Sequence, residues 1–215
     1  YVAMNTDLAV IDVHDPASPA LLGQIRVSAV ATHIHGLAVQ GATAYCANYT
    51  EGLKTVDAAD PASMRITATN ECKPIGICDS AARDVAVRGE YLFLVRDGYG
   101  LVSFSLADPL KPAGADQFVP SDVPFPYDAL ERVWLDGTTA VVIGGSNVWF
   151  VDTSDPLEMA ELGRWSTGGA ELTGVSAETG RVVLASLWGV VPGVGLDRSG
   201  LRVLDGSDPA TSVEL

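Results

Sequence analysis

The sequence predicts an all-β fold assembled from a repeated four-stranded antiparallel unit, on three observations. One phrase is written five times: Asp7-Leu8…Asp15-Pro16, Gly52-Leu53…Asp60-Pro61, Gly100-Leu101…Asp108-Pro109, Asn147-Val148…Asp155-Pro156 and Gly200-Leu201…Asp208-Pro209. In every copy the proline stands 8 positions after the apolar residue, and successive prolines lie 45, 48, 47 and 53 residues apart. Between these phrases run short β-branched and aromatic segments cut by Gly, Pro and Asp, the signals of strands and turns. A strand-rich unit repeated every 40–50 residues or so is the signature of propeller blades. The expected fold is therefore a β-propeller of about five blades, approximately 1–30, 31–70, 80–120, 128–166 and 170–215, in a single domain over 1–215 that forms part of a larger ring.

The third copy shows the elements in order. Ala82 to Val87 is a first strand, ended by Arg88-Gly89; Tyr91 to Val95 is a second, ended by Asp97-Gly98-Tyr99-Gly100. Leu101 to Leu106 is a third, and Asp108-Pro109 turns the chain into a fourth near Ala115 to Val119. The second strand is almost uniformly apolar, as expected of a strand covered on both faces. The first turn carries Gly41, Gly89, Gly137 or Gly180, where glycine reaches positive φ without strain. In the Asp-Pro turn the carboxylate accepts from a nearby backbone N–H and proline presets φ. A second acid stands three residues earlier, at Asp12, Asp57, Asp152 and Asp205, with Ser105 as the exception. Such a pair admits a calcium reading, but its recurrence in successive copies favours turn chemistry.

The ends of the chain are incomplete as blades. The first copy has strands at Tyr1-Val2-Ala3, Leu8 to Val13 and Leu21 to Val27, and lacks its innermost strand. The last copy runs out at Val213-Glu214-Leu215 where a fourth strand belongs. The chain opens on Tyr1, inside a repeat, and is expected to continue beyond both ends, with room upstream for a signal or anchor.

Composition sets outer limits on function. Of 215 residues 47% are hydrophobic and 19% charged, and 13 basic against 27 acidic residues give a net charge of −14. No basic stripe for nucleic acid is present, and no apolar run reaches the length of about 18 residues that a membrane helix needs. Cys46 sits in an apolar strand and reads as a buried hydrophobe. Cys72 and Cys78 flank a Pro- and Gly-containing loop and are candidates for a local disulfide, which implies an oxidising compartment. Asn48-Tyr49-Thr50 is an N-glycosylation sequon.

The repeat resembles the LVIVD repeat family of bacterial β-propellers. The resemblance rests on Leu8-Ala9-Val10-Ile11-Asp12-Val13-His14-Asp15-Pro16 and on the matching runs that start at Leu53, Val148 and Leu201. It implies a propeller in a secreted, periplasmic or surface-associated protein, and it carries no catalytic motif over.

In such a blade the turns between strands one and two, and three and four, share one face. The remaining connections share the other, and there the lengths vary: Arg65 to Ala81, Pro120 to Asp128, and Trp188 to Ser199. From turn glycine to third strand is 12, 12 and 11 residues, then 21 from Gly180 to Leu201. Variable loops on a rigid scaffold are where binding is usually found. The first strands start at that face, and their opening residues form the expected funnel mouth: His33, His35, Arg83, Asp84, Glu131, Arg132, Glu171 and Thr173. Histidines at i and i+2 of a strand project to one side, so His33 and His35 are candidate ligands for a divalent metal, with Asp84 or Glu131 as completing carboxylates; no other cofactor is expected. Tyr49, Tyr99, Phe125, Tyr127 and Trp188 form a candidate binding rim for a protein or glycan.

Enzyme signatures are otherwise lacking: there is no G-x-S-x-G, P-loop or H-E-x-x-H, and the chain has three histidines. The leading expectation is a non-catalytic secreted or cell-surface propeller that binds a protein or glycan. The alternatives are a hydrolase or lyase working at the funnel mouth, metal-dependent in one version, and a purely architectural module.

Overall fold

The computed structural model describes residues 1–29, 33–70, 81–121, 130–187, 189–191, 195–197 and 199–215. Its strands in chain order are β1 (Val2–Met4), β2 (Asp7–Asp12), β3 (Ala20–Arg26), β4 (Gly36–Gln40), β5 (Thr43–Ala47), β6 (Leu53–Asp57), β7 (Arg65–Asn70), β8 (Ala82–Arg88), β9 (Tyr91–Arg96), β10 (Gly100–Ser105) and β11 (Ala113–Phe118). They continue with β12 (Arg132–Asp136), β13 (Thr139–Gly144), β14 (Asn147–Asp152), β15 (Ala160–Ser166), β16 (Leu172–Glu178), β17 (Arg181–Ser186), β18 (Gly189–Val191), β19 (Gly195–Asp197), β20 (Gly200–Asp205) and β21 (Val213–Glu214). Five sheets follow the five copies: β1-β2-β3, β4-β5-β6-β7, β8-β9-β10-β11, β12-β13-β14-β15 and β16-β17-β20-β21, with β18-β19 as a separate hairpin. The fold class is the expected one, an all-β propeller built from four-stranded antiparallel blades of which the first has three strands.

Two expectations are corrected. Arg65 to Asn70 belongs to β7, not to a variable link, because its β-branched Ile66, Thr67 and Thr69 suit a ladder with β6 from Leu53↔Asn70 to Asp57↔Arg65. The last copy does not stop short of its fourth strand: Val213 and Glu214 pair with Asp205 and Leu204.

The chain divides into two compact units, Tyr1–Leu94 with Phe104–Gly114, and Val95–Ser103 with Ala115–Leu215. In the first, Leu8, Val27, Ile34, Ala44, Cys46 and Val56 form a buried core, with Ile25, Leu37, Val39 and Met64 packed against it. In the second, Val141, Ile143, Val148, Phe150, Leu172, Val182, Leu184 and Leu204 do the same. Each wholly buried Leu or Phe contributes about 1.5–3 kcal/mol relative to exposure. Cys46 is the buried hydrophobe expected, and burial pushes its thiol up to about 12.

Turn chemistry accounts for the paired acids. The Asp-Pro carboxylates of Asp15, Asp60, Asp108, Asp155 and Asp208 accept from the amides of Ala17, Ala62, Leu110, Leu157 and Ala210 at 2.9–3.2 Å. The earlier acids behave alike: Asp12, Asp57, Asp152 and Asp205 accept from His14, Ala59, Ser154 and Ser207 at 2.8–3.1 Å. Ser105, the sequence exception, accepts from Ala107 through its hydroxyl at 3.3 Å. Gly41, Gly89, Gly137 and Gly180 adopt φ of 59°, 57°, 57° and 78° at the first turns.

The proline of this turn has a second role that the sequence does not disclose. Its carbonyl docks on the preceding copy each time. Pro61 O lies against Gly23, where an added Cβ would come within 1.7 Å, and Pro209 O lies against Gly163, where it would come within 2.0 Å. Pro109 O accepts from the Tyr45 hydroxyl at 3.1 Å and Pro156 O from the Ser103 hydroxyl at 2.6 Å. At the first turns, Gln40 Nε2 donates to Gly89 O at 3.0 Å. Asp136 accepts from the amides of Thr179 and Gly180 at 3.1 and 2.7 Å.

The last sheet departs from the pattern. The apolar residue opening the repeated phrase is wholly buried at Leu8, Leu53, Leu101 and Val148, yet Leu201 is 76% exposed. The second strand β17 alternates buried Val182 and Leu184 with exposed Arg181 and Val183, unlike the fully buried β5. One face of this sheet packs in the core and the other does not.

Candidate functional site

Backbone pairing builds a cluster of four chemically active side chains in the first unit. The Ile34 amide donates to Asn5 O and the His35 amide to Ala47 O, both at 2.8 Å, which carries the extended chain into β4. Ile34 points into the core while His33 is exposed and His35 half-buried, so the two imidazoles share a side as their spacing requires. At the far end of β5, Tyr49 and Ala82 exchange both backbone hydrogen bonds, at 3.1 and 2.9 Å. That bridge places Arg83 beside Tyr49. Gly36 is needed here, since a Cβ would stand 2.7 Å from the Asp84 backbone.

The side chains then stack. The His35 and Tyr49 rings lie 5.0 Å apart and nearly parallel, at 21°. The Arg83 guanidinium sits 5.1 Å from the centre of the Tyr49 ring, a cation–π distance. His33 lies 6.4 Å from His35, tilted by 45°. Tyr49 holds a φ of 44°, rare for a residue with a Cβ.

The turn bearing Tyr49 is braced from below. Lys54 and Glu51 form an ion pair, and Lys54 Nζ also donates to Val27 O at 2.8 Å. Glu51 accepts from the Ser28 hydroxyl at 2.8 Å and from the Ala29 amide at 3.0 Å. Beside it, the Asn48 side chain is 0% exposed, and neither its amide nitrogen nor its oxygen has a hydrogen-bond partner among the described residues. The sequon asparagine is therefore inaccessible in the fold.

The expected residues divide accordingly. His33, His35, Arg83 and Asp84 come together, joined by Tyr49, a candidate for the rim rather than the mouth by sequence. Glu131, Arg132, Glu171 and Thr173 belong to the second unit. There the Glu131 amide donates to Ile143 O at 2.7 Å, Arg132 Nη1 to Glu131 O at 3.1 Å, and Thr173 Oγ1 to Ala185 O at 3.5 Å. Glu171 is exposed, and its carbonyl accepts from the Leu187 amide at 2.8 Å. Tyr99 pins its own loop: Arg96 lies over its ring at 4.9 Å and Gln117 donates to its carbonyl at 2.6 Å. Phe125, Tyr127, Trp188, Cys72 and Cys78 lie outside the described residues. Among the described residues, no three His, Cys, Asp or Glu side chains converge as a metal site, so His33 and His35 find no third ligand there.

Comparison with known proteins supports this architecture. The fold is similar to a protein from Lactobacillus plantarum, with TM-score 0.73 and 12% identity over 100% of this chain and 68% of that one. It is similar to the periplasmic gluconolactonase PpgL of Pseudomonas aeruginosa, with TM-score 0.63 and 12% identity over 92% of this chain and 77% of that one. It is also similar to the β-propeller domain of Cps50 (Swd1) from Myceliophteria thermophila, with TM-score 0.63 and 9% identity over 98% and 77%. At these identities the likeness concerns the fold alone. No curated protein matches the sequence. The LVIVD repeat family matches residues 1–27, 33–69 and 80–102, the first two copies and the opening of the third. These stretches are LVIVD repeats, and over them the chain is similar to the LVIVD-repeat β-propellers.

Proposed function

We propose that this propeller is a non-catalytic binding module acting outside the cytoplasm, at the cell surface, in the periplasm or in secreted form. Its partner is a glycan or a protein, engaged at the face that carries Tyr49. The observation behind this reading is the His35–Tyr49–Arg83 stack: a half-buried aromatic ring beside a guanidinium and one imidazole, with the His33 ring 6.4 Å beyond that of His35. Aromatic and Arg side chains anchor interfaces because they offer large contact area with polar tips at small entropic cost. No helix of the described residues is long and apolar enough to cross a membrane. The periplasmic home of one structural neighbour supports the compartment. The test is a screen of immobilised glycans and surface proteins with wild type and Tyr49→Leu. Loss of a detected interaction in the variant upholds the reading; unchanged binding by every partner found rejects it.

A hydrolase is the second reading, favoured by one observation. His33, His35 and Arg83 gather at strand starts of a fold shared with a gluconolactonase. Turnover of gluconolactone by wild type, abolished in His35→Ala, would replace the binding reading.

A further inference from the structure

One further residue serves this face, on the reading of the face as a binding site. Tyr49 sits in a tight turn closed by backbone hydrogen bonds from Asn48 N to Gly52 O, Glu51 N to Asn48 O and Gly52 N to Tyr49 O, at 2.8, 2.9 and 3.1 Å. Its φ of 44° is costly for a residue with a Cβ and persists only where the surroundings over-determine it. The turn is held from both sides. The exchange of backbone hydrogen bonds with Ala82 ties it to the third copy. Glu51 ties it to the first, through the Ser28 hydroxyl at 2.8 Å and the Ala29 amide at 3.0 Å. That first-copy segment is itself fixed, because the Val27 and Ser28 amides donate to Thr6 O at 2.9 and 3.0 Å.

We propose that Glu51 is the positioning residue of this face: its carboxylate locks the Tyr49 turn to the first copy and so holds the tyrosine ring in register with His35. The carboxylate acts here as an acceptor for the protein's own donors, not as a group offered to a ligand. Its side chain is 16% exposed and that of its ion-pair partner Lys54 9%. Lys54 Nζ carries the contact on to Val27 O at 2.8 Å. One carboxylate thus gathers a hydroxyl, an amide and an ammonium from two copies, and hydrogen bonds to a charged acceptor are stronger than neutral ones. The backbone at His35 is set separately, by its amide donating to Ala47 O at 2.8 Å. What Glu51 controls is the Tyr49 side of the stack.

Proton NMR of the protein alone tests the assignment, because a tyrosine ring stacked 5.0 Å from His35 moves the imidazole protons upfield. The displacement lost in Tyr49→Leu defines the full effect. Removing one member of a buried ion pair strands the other charge, whereas removing both leaves stability nearly unchanged, so positioning separates from stability. Glu51→Met combined with Lys54→Met removes both charges and the acceptor oxygens; it is expected to fold and to lose most of the displacement. Glu51→Gln combined with Lys54→Met returns one acceptor oxygen to Ser28 and Ala29 and is expected to recover it. If the first double variant does not fold, Ser28→Ala, which leaves the ion pair in place, is expected to lose part of the displacement. A folded first double variant with the wild-type displacement, no recovery in the second, or a silent Ser28→Ala overturns the assignment. The readout needs no partner, so the two readings fail separately. A stack that loosens as expected, in a protein whose partner screen is indifferent to Tyr49→Leu, upholds the role of Glu51 and removes the binding site it would serve.

Discussion

The Ser103 hydroxyl joins two successive repeats: it donates to the Pro156 carbonyl at 2.6 Å and accepts from the Asp116 amide at 3.0 Å. Ser103 is wholly buried, so both partners lose solvent when they dock on it. Ser103→Ala strands a carbonyl and an amide and is expected to cost about 1–3 kcal/mol. Urea titration measures it, and a change below experimental error would show that the contact does not hold the repeats together.

Gly163 makes the equivalent joint by having no side chain. Gly163→Ala puts a methyl 2.0 Å from Pro209 O and 2.4 Å from its carbonyl carbon. Backbone must move, at an expected cost of about 1–3 kcal/mol or more. Gly41→Ala is the control, with open space around it and only a φ of 59° to strain. The Gly163 variant should lower the melting temperature more than the Gly41 variant does; the reverse order would refute the docking account.

Acid should loosen the paired turns. Hydrogen bonds from the Ala59 amide and then from Arg65 hold the Asp57 carboxyl below its usual value, and Ser207 holds that of Asp205 below its own. A depressed carboxyl contributes stability that is complete above its unfolded value, near 3.8, and is lost as pH falls through the lower folded value. Melting temperature should therefore fall below about pH 4. Asp57→Asn should flatten that acid limb; an unchanged slope would exclude the turn as its source.

Cys46 and Asn48 should be chemically silent while the protein is folded. A buried thiol pushed up to about 12 is protonated at neutral pH and closed to electrophiles. Iodoacetamide should label the Cys46 peptide in guanidinium and spare it in native buffer. Folded material from a glycosylating host should carry no sugar at Asn48, read by peptide mass spectrometry; an occupied sequon in folded protein would contradict the burial of its side chain.

Most of the fold was legible because it is encoded locally. Turn glycines, Asp-Pro pairs and apolar runs each act within a few residues, and repetition confirmed them, so strand positions such as Tyr91–Arg96 followed closely. Ser105 shows that an apparent exception in letters is none in chemistry: a hydroxyl replaces the carboxylate as acceptor. The contacts between copies were not legible. Nothing in the letters around Gly23, Tyr45, Ser103 or Gly163 announces that each meets a proline carbonyl some 40–65 residues on. The site was half legible for the same reason. His33, His35 and Arg83 were visible as strand-opening residues, but the stack with Tyr49 depends on the bridge between Tyr49 and Ala82. The exposure of Leu201 was illegible too, because it is the same residue as buried Leu8, Leu53 and Leu101 and apolar like buried Val148, so only its surroundings differ.

The proline carbonyl gives the repeat a common grammar. Every copy after the first presents the same group to its predecessor, while the predecessor answers either with empty space, at Gly23 and Gly163, or with a hydroxyl, at Tyr45 and Ser103. Because the projecting part is constant, a copy duplicated within such an array arrives already compatible with any neighbour. Only the receiving position must choose between its two solutions. Arrays of this kind can lengthen, shorten or exchange members by recombination while loops on the opposite edge diversify freely.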